Sequence, residues 1–336
     1  MLPFLDKHYF CHVLQIQQYR EEFEKYLNAY TPPRTPQNLY KPVSYFLALE
    51  GKRIRPILTL LSCDLFNGNY KDSLDAALAV EVFHNFSLVH DDIMDEAPLR
   101  RGNQTVHQKW DLSTAILSGD VMLILAYQLF ENYHEKTFVA LAKLFSKTAV
   151  EVCEGQQLDI DFSKLNDINS AKYLNMIELK TAVLIGASMK MGAIVAKASD
   201  NEQENIYEFG KNLGIAFQIQ DDFLDTFGDE KKFGKVIGGD IIENKKTLLY
   251  VKSMEIFTEE DKTELTKLYS STHLDERKKI EAVKELFLKY NIPSIIEKEI
   301  NYYTQFAFKK LDNLNISDDK KDFLFDFGNS LMKRKI

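Results

Sequence analysis

The chain has 336 residues and a formal net charge of −8 at pH 7. The length allows a sizeable core, and the acidic balance argues against nucleic acid as the main partner. With only 14 glycines and 8 prolines among abundant Leu, Ala, Lys and Glu, the composition points to long helices and little sheet.

A first amphipathic helix is expected near 4–30, closed by Thr31-Pro32-Pro33-Arg34-Thr35-Pro36. Helices follow near 37–50 and 54–67. The turn between them reads Gly51-Lys52-Arg53-Ile54-Arg55-Pro56, three cations within four residues. Taken alone this is a solvated basic turn. Arg nevertheless pairs bidentately with phosphate, and Lys adds a point charge. The next helix, near 72–95, ends in Asp91-Asp92-Ile93-Met94-Asp95, a DDxxD. Helical spacing puts His84, Leu88, Asp91 and Asp95 on one stripe. Acids at a helix C-terminus oppose the macrodipole, and a bound cation would give them a reason to be there. A loop with Pro98, Arg100, Arg101 and Gly102 follows.

The helix near 112–132 holds the most apolar stretch. Gly119 and Asp120 interrupt it, and the uninterrupted Val121 to Phe130 is too short for a bilayer. It is read as a core helix, with no transmembrane segment expected. The helix near 136–162 carries the polar pair Gln156 and Asp159, and the one near 170–197 carries Lys180-Thr181. The helix near 202–227 ends in Asp221-Asp222-Phe223-Leu224-Asp225, a second DDxxD. Gln218 shares the stripe of Asp221 and Asp225, and Gly214 continues it, a small residue that would let another group approach closely. A glycine-rich loop with Lys235 follows, then Lys245 and Lys246. Further helices are expected near 244–256, 258–269, 274–290, 292–313 and 316–332.

The one internal repeat is therefore an apolar helix, a DDxxD and a basic loop. An i, i+4 carboxylate pair repels itself and suits a hard cation with oxygen ligands. Two copies facing each other would clamp several Mg²⁺ around a diphosphate. The cations nearby would hold a second diphosphate. Cys11, Cys63 and Cys153 show no metal-ligand spacing and read as buried thiols in a reducing cytosol. No secretory leader is recognisable at the N-terminus. No composition break divides the chain, so one domain over 1–336 is expected, in the cytoplasm.

These motifs together resemble the trans-isoprenyl diphosphate synthases, the polyprenyl synthetase family. GKRxRP, DDxxD followed by RRG, a KT pair, and DDxxD followed by GK stand in that family's order, over roughly 40–250. The resemblance implies an all-α, single-domain bundle of antiparallel helices around a deep central cavity, and a homodimer. It implies isopentenyl diphosphate and an allylic diphosphate as substrates, with three Mg²⁺ per active site. Asp91 and Asp95, with Asp92 in support, would bind Mg²⁺ from one wall; Asp221 and Asp225, with Asp222 nearby, from the other. Arg100, Lys180, Lys235 and Lys245 would contact the allylic diphosphate. Lys52, Arg55, His84 and Arg101 would hold isopentenyl diphosphate. Thr181 and Gln218 would line the reacting carbon.

Product length would depend on depth below Asp91. Phe86 lies five residues before it, about 7.5 Å along a helix axis, and Ser87 four. A ring at Phe86 would form a floor favouring farnesyl or geranylgeranyl products; its bland reading is core packing. The first motif lacks the two-residue insertion of bacterial farnesyl synthases, which tells against a simple farnesyl assignment. The alternatives are a terpene cyclase-like enzyme and a non-catalytic subunit of a heteromeric synthase. GKRIRP and two complete acidic motifs argue against both.

Overall fold

The computed structural model describes residues 14–33, 35–165, 168–228, 237–271 and 275–332. It is 80% helical, so the fold is all-α as the composition implies. Sheet among the described residues is limited to one hairpin, Leu99–Arg100 paired antiparallel with Asn103–Gln104. Its two-residue turn, Arg101-Gly102, has positive φ at both positions, the hairpin geometry that glycine eases.

The chain forms two compact units. The first comprises the described residues of Met1–Lys147, Ala187–Tyr207 and Leu314–Phe323. Its leading helices are α1 (Ile16–Ala29), α2 (Gln37–Leu47), α3 (Ile54–Leu65) and α4 (Leu74–Met94). In α1, Tyr19, Phe23 and Leu27 recur every fourth residue and are buried, as a one-sided helix requires. Pro56 sits in the first turn of α3, where its missing N–H would have had no intrahelical partner. Helix α4 is buried continuously from Ala76 to Phe83, and α6 (Leu112–Phe130), which follows the short α5 (Val106–Lys109), packs on it. The cap of α6 is Asp111, whose Oδ1 accepts from the Thr114 N–H at 2.8 Å. By length and composition α6 would suffice to cross a membrane, unlike the shorter uninterrupted run, but one face carries Ala115, Met122, Leu125, Ala126 and Phe130 into the core. The other leaves Ile116, Leu117 and Ile124 exposed.

The second unit comprises the described residues of Thr148–Gly186, Glu208–Asn313 and Leu324–Ile336. It holds most of α7 (Glu135–Lys164), with α8 (Ser170–Ile177) and most of α10 (Asp200–Phe227); α9 is Val183–Val195. After the short α11 (Gly239–Ile242) come α12 (Leu248–Ile256), α13 (Glu259–Ser270), α14 (Glu276–Lys289), α15 (Ile292–Leu311) and α16 (Asp318–Met332). Its core joins Ile215, Ile219 and Phe223 of α10 to Leu248–Val251, Val283, Phe287, Ile292, Ile296 and Ile300. The sequence expectation of one long helix over 170–197 meets one difference. Glu178–Ala182 is a π-helical turn between α8 and α9. Of the cysteines, Cys63 is buried as expected, but Cys153 is exposed on α7, and Cys11 lies outside the described residues.

Candidate active site

In the first unit, α4 delivers His84, Phe86, Ser87, Asp91 and Asp92 along its last three turns, and Asp95 is its C-cap. The three acids differ in environment. Asp92 is fully buried, Asp91 is partly exposed and Asp95 is exposed. Arg100, on the hairpin, reaches back to this helix end: its Nε and Nη2 donate to Asp92 Oδ1 at 2.8 and 2.6 Å, and Nη2 lies 3.4 Å from Asp91 Oδ2. Burial nevertheless pushes the Asp92 carboxyl above the usual carboxylate range, with Arg100 opposing. Asp92 Oδ2 is buried without a hydrogen-bond partner among the described residues, an oxygen that a cation or its water shell would satisfy.

Beside this end lies a cationic cluster. Arg55 Nη1 donates to His84 Nε2 at 3.2 Å, because a guanidinium cannot accept. That bond fixes the ring proton on Nδ1. Burial, then Arg55, Arg101, Arg100 and Arg53, hold His84 well below the usual histidine range, so the ring is neutral. Burial likewise pushes Arg55 down to about 10, and its Nε has no hydrogen-bond partner among the described residues. Arg101 donates to the Leu49 carbonyl at 3.4 Å, and Lys52 is exposed on the turn. The third cation of GKRIRP is different. Arg53 is buried, ion-paired with the buried Glu81, and its Nη2 donates to Leu47 O and Leu49 O at 2.8 and 2.7 Å. Arg53 thus fastens the turn, while among the described residues no carboxylate is hydrogen-bonded to Arg55 or Arg101. Guanidiniums drawn together under partial burial call for an anion.

In the second unit, α10 delivers Gln218, Asp221, Asp222 and Asp225. Asp222 is buried, with Oδ2 accepting from Tyr173 Oη and Oδ1 accepting from Gln218 Nε2 at 3.1 Å. Burial, reinforced by Asp240, raises its pKa to about 8. Asp221 and Asp225 keep partial exposure. Asp225 Oδ2 accepts from the backbone N–H of Asp240 at 2.9 Å, which brings another carboxylate beside the second motif. Sequence reasoning missed Asp240. A lone acid carries no spacing signal, and only the bond from its backbone N–H to Asp225 marks it. Lys245 lies 3.7 Å from Asp240 and 2.7 Å from Glu243, whereas Lys246 donates to Ser163 O at 3.2 Å, near the end of α7. Lys235 lies outside the described residues.

Lys180 and Thr181 occupy the π turn. Lys180 Nζ pairs with Asp159 at 2.7 Å, and Thr181 Oγ1 donates to Gln218 Oε1 at 3.3 Å. The Lys-Thr pair, Gln218 and Asp222 thus form one chain of contacts. No three His, Cys, Asp or Glu side chains among the described residues form a metal site by themselves. Each acidic end offers only carboxylate oxygens. That donor set fits a hard cation completed by phosphate and water, which is how Mg²⁺ is usually held.

The model of the polyprenyl synthetase family matches residues 36–287. The chain belongs to the polyprenyl synthetase family. A geranylgeranyl diphosphate synthase of Sulfolobus acidocaldarius is 37% identical over 288 residues, covering 84% of this chain and 86% of its own. A short chain isoprenyl diphosphate synthase of Methanothermobacter thermautotrophicus is 36% identical over 308 residues, covering 91% and 94%. A crystal structure of a geranylgeranyl pyrophosphate synthase aligns with a TM-score of 0.91 at 48% identity, covering 96% of this chain and 100% of that one. This polyprenyl synthetase is a short-chain trans-prenyltransferase of isoprenoid biosynthesis, acting on isopentenyl diphosphate and an allylic diphosphate. Its family works with Mg²⁺.

Proposed function

We propose that the enzyme extends dimethylallyl, geranyl or farnesyl diphosphate with isopentenyl diphosphate and releases geranylgeranyl or farnesyl diphosphate. The observation that carries the division of labour is the contrast between two neighbouring groups in the first unit. Asp91 and Asp95 set two carboxylates one turn apart at the end of α4, while Arg55, His84 and Arg101 cluster beside them. One suits a metal-bound diphosphate, the other a diphosphate held by protein cations alone.

In this reading Asp91 and Asp95, and Asp221 and Asp225, would hold Mg²⁺ on the allylic diphosphate, three ions in all, with Asp240 as a further oxygen donor. Asp92 and Asp222 stand behind the ligands, one locked to Arg100 and the other to Tyr173 and Gln218. Mg²⁺ supplies Lewis-acid stabilisation of the leaving diphosphate when bound. Arg100, Lys180, Lys235 and Lys245 add positive charge to the same group. The allylic C–O bond breaks and its electron pair leaves with the diphosphate. The Thr181 hydroxyl and Gln218 carbonyl oxygens face the resulting cation. The isopentenyl double bond attacks it, forming the new C–C bond, and the adjacent proton passes to the departed diphosphate. Lys52, Arg55, His84 and Arg101 orient the second substrate throughout.

We further propose a cytoplasmic homodimer of one isoprenoid-synthase domain spanning 1–336. The exposed Ile116, Leu117 and Ile124 of α6 favour a second copy as their cover.

Purified protein incubated with Mg²⁺, isopentenyl diphosphate and each allylic diphosphate is expected to give one dominant product of farnesyl or geranylgeranyl length by mass spectrometry. No condensation with any starter would sink the reading. For the second substrate, Arg55→Lys keeps the charge but loses the planar fork. It is expected to raise KM for isopentenyl diphosphate about ten-fold while kcat stays near wild type, the signature of lost ground-state binding. An unchanged KM would remove Arg55 from that site.

A further inference from the structure

The turn that carries Lys180 and Thr181 is built differently from the helices on either side. A π turn adds one residue to the backbone ring, and such bulges recur at functional sites. Relative to a continuous α-helix, one extra residue rotates everything after it by about 100°. The placement of Lys180 and Thr181 therefore depends on this turn being kept.

Several contacts hold it. Lys211 Nζ binds Glu178 at 3.1 Å, Asp159 takes Lys180, and Gln218 takes Thr181. Two glycines then close on it. A Cβ on Gly155 of α7 would lie 2.2 Å from Lys180 N and 2.6 Å from Leu179 C. Those atoms form the peptide bond inside the π turn, and no flexible side chain is there to give way. A Cβ on Gly214 of α10 would lie 3.0 Å from Ala182 Cα and 3.1 Å from its Cβ. Gly214 thus brings α10 against Ala182, the last residue of the same turn.

We infer that Gly155 and Gly214 are positioning residues of the reaction. They grip the π turn between α7 and α10, and so fix where the Lys180 ammonium and Thr181 hydroxyl stand. Neither touches substrate; each acts by leaving out a side chain. The inference rests on the reading that Lys180 and Thr181 serve the allylic substrate. Gly155 lies on the same face of α7 as Asp159, one turn away, so close approach and ion pair come from one helix face.

A methyl group at 155 forces a shift of ångström scale, and a misplacement of that size costs about 100-fold in rate. Gly155→Ala is therefore expected to lower kcat about 100-fold, and Gly214→Ala, whose overlap is milder, about ten-fold. Arg55, His84 and Arg101 belong to the other compact unit, so KM for isopentenyl diphosphate should stay within about two-fold in both variants. Steady-state kinetics varying each substrate separately, with melting temperatures, make the test. Wild-type kcat in Gly214→Ala, with no more than a small loss in Gly155→Ala, would overturn the inference. So would parallel losses toward both substrates that simply track falling stability. Should Gly155→Ala not fold, Gly214→Ala decides. Lys180→Ala separates the underlying reading: near-normal turnover there defeats the role of Lys180, whereas loss there with intact glycine variants defeats the grip alone.

Discussion

Asp91→Ala and Asp221→Ala are each expected to lower kcat by about three orders of magnitude or more, corresponding to the several kcal/mol a metal contributes to a developing charge. The folded state should be spared. Both carboxylates retain exposure near the C-terminal end of a helix, where a negative charge opposes the macrodipole by about 0.3–1 kcal/mol, so removing it costs the fold nothing of that kind. The middle aspartates should behave oppositely. Asp92→Ala leaves Arg100 without its closest acceptor, and Asp222→Ala leaves Tyr173 and Gln218 without theirs. Stranding such donors costs about 1–3 kcal/mol each. Kinetics and thermal melts on the four variants therefore separate the members of each DDxxD, with the outer positions acting on turnover and the middle ones on melting temperature. Near-normal kcat in either outer variant would defeat the metal assignment.

This division within the motif was not legible in the sequence, which offers three identical residues. The i, i+4 spacing showed that the outer pair shares a helix face. It could not show that Asp92 turns inward to Arg100, because that guanidinium returns from a hairpin too short to register as alternation. The same limit applies to GKRIRP. Arg53 and Arg55 are equal as letters, and the buried Glu81 and a left-handed backbone at Arg53 decide which is structural. The long helices, by contrast, were legible almost to their ends, since few glycines or prolines interrupt them and the caps stand at their starts. Asp111, Asn169 and Asp275 each accept from a backbone N–H in the first turn that follows. The π turn escaped because one extra residue barely disturbs apolar periodicity in a segment that is buried nearly all round from Ala182 onward. Gly214 was visible as a small residue on the acids' stripe. What approaches it, Ala182, comes from a helix some thirty residues earlier and is fixed only by packing.

Phe86→Ala is expected to replace the dominant product by one at least one isoprene unit longer. The side chain is 9% exposed, and its ring meets Phe83 at 5.5 Å and, edge-on, His90 at 4.9 Å. Two physical roles are compatible with that burial, and they diverge on mutation. As ordinary core, Phe86→Ala would leave a cavity costing about 3–5 kcal/mol with chain length unchanged. As the floor beneath a growing prenyl tail, the vacated volume is refilled by product, and the main effect falls on specificity. The neighbouring Ser87 is less suited to act as a floor, because its hydroxyl turns back to donate to His84 O at 2.8 Å. Product analysis by mass spectrometry beside a melting curve distinguishes the roles in one preparation. A longer product with a small loss in melting temperature assigns Phe86 to chain length. An unchanged product with a large loss returns it to the aromatic packing of Phe83 and Phe145. A single added methylene is worth about 0.8 kcal/mol when buried, so an added five-carbon unit gains several kcal/mol once the ring is gone. That gain favours another round of condensation over release.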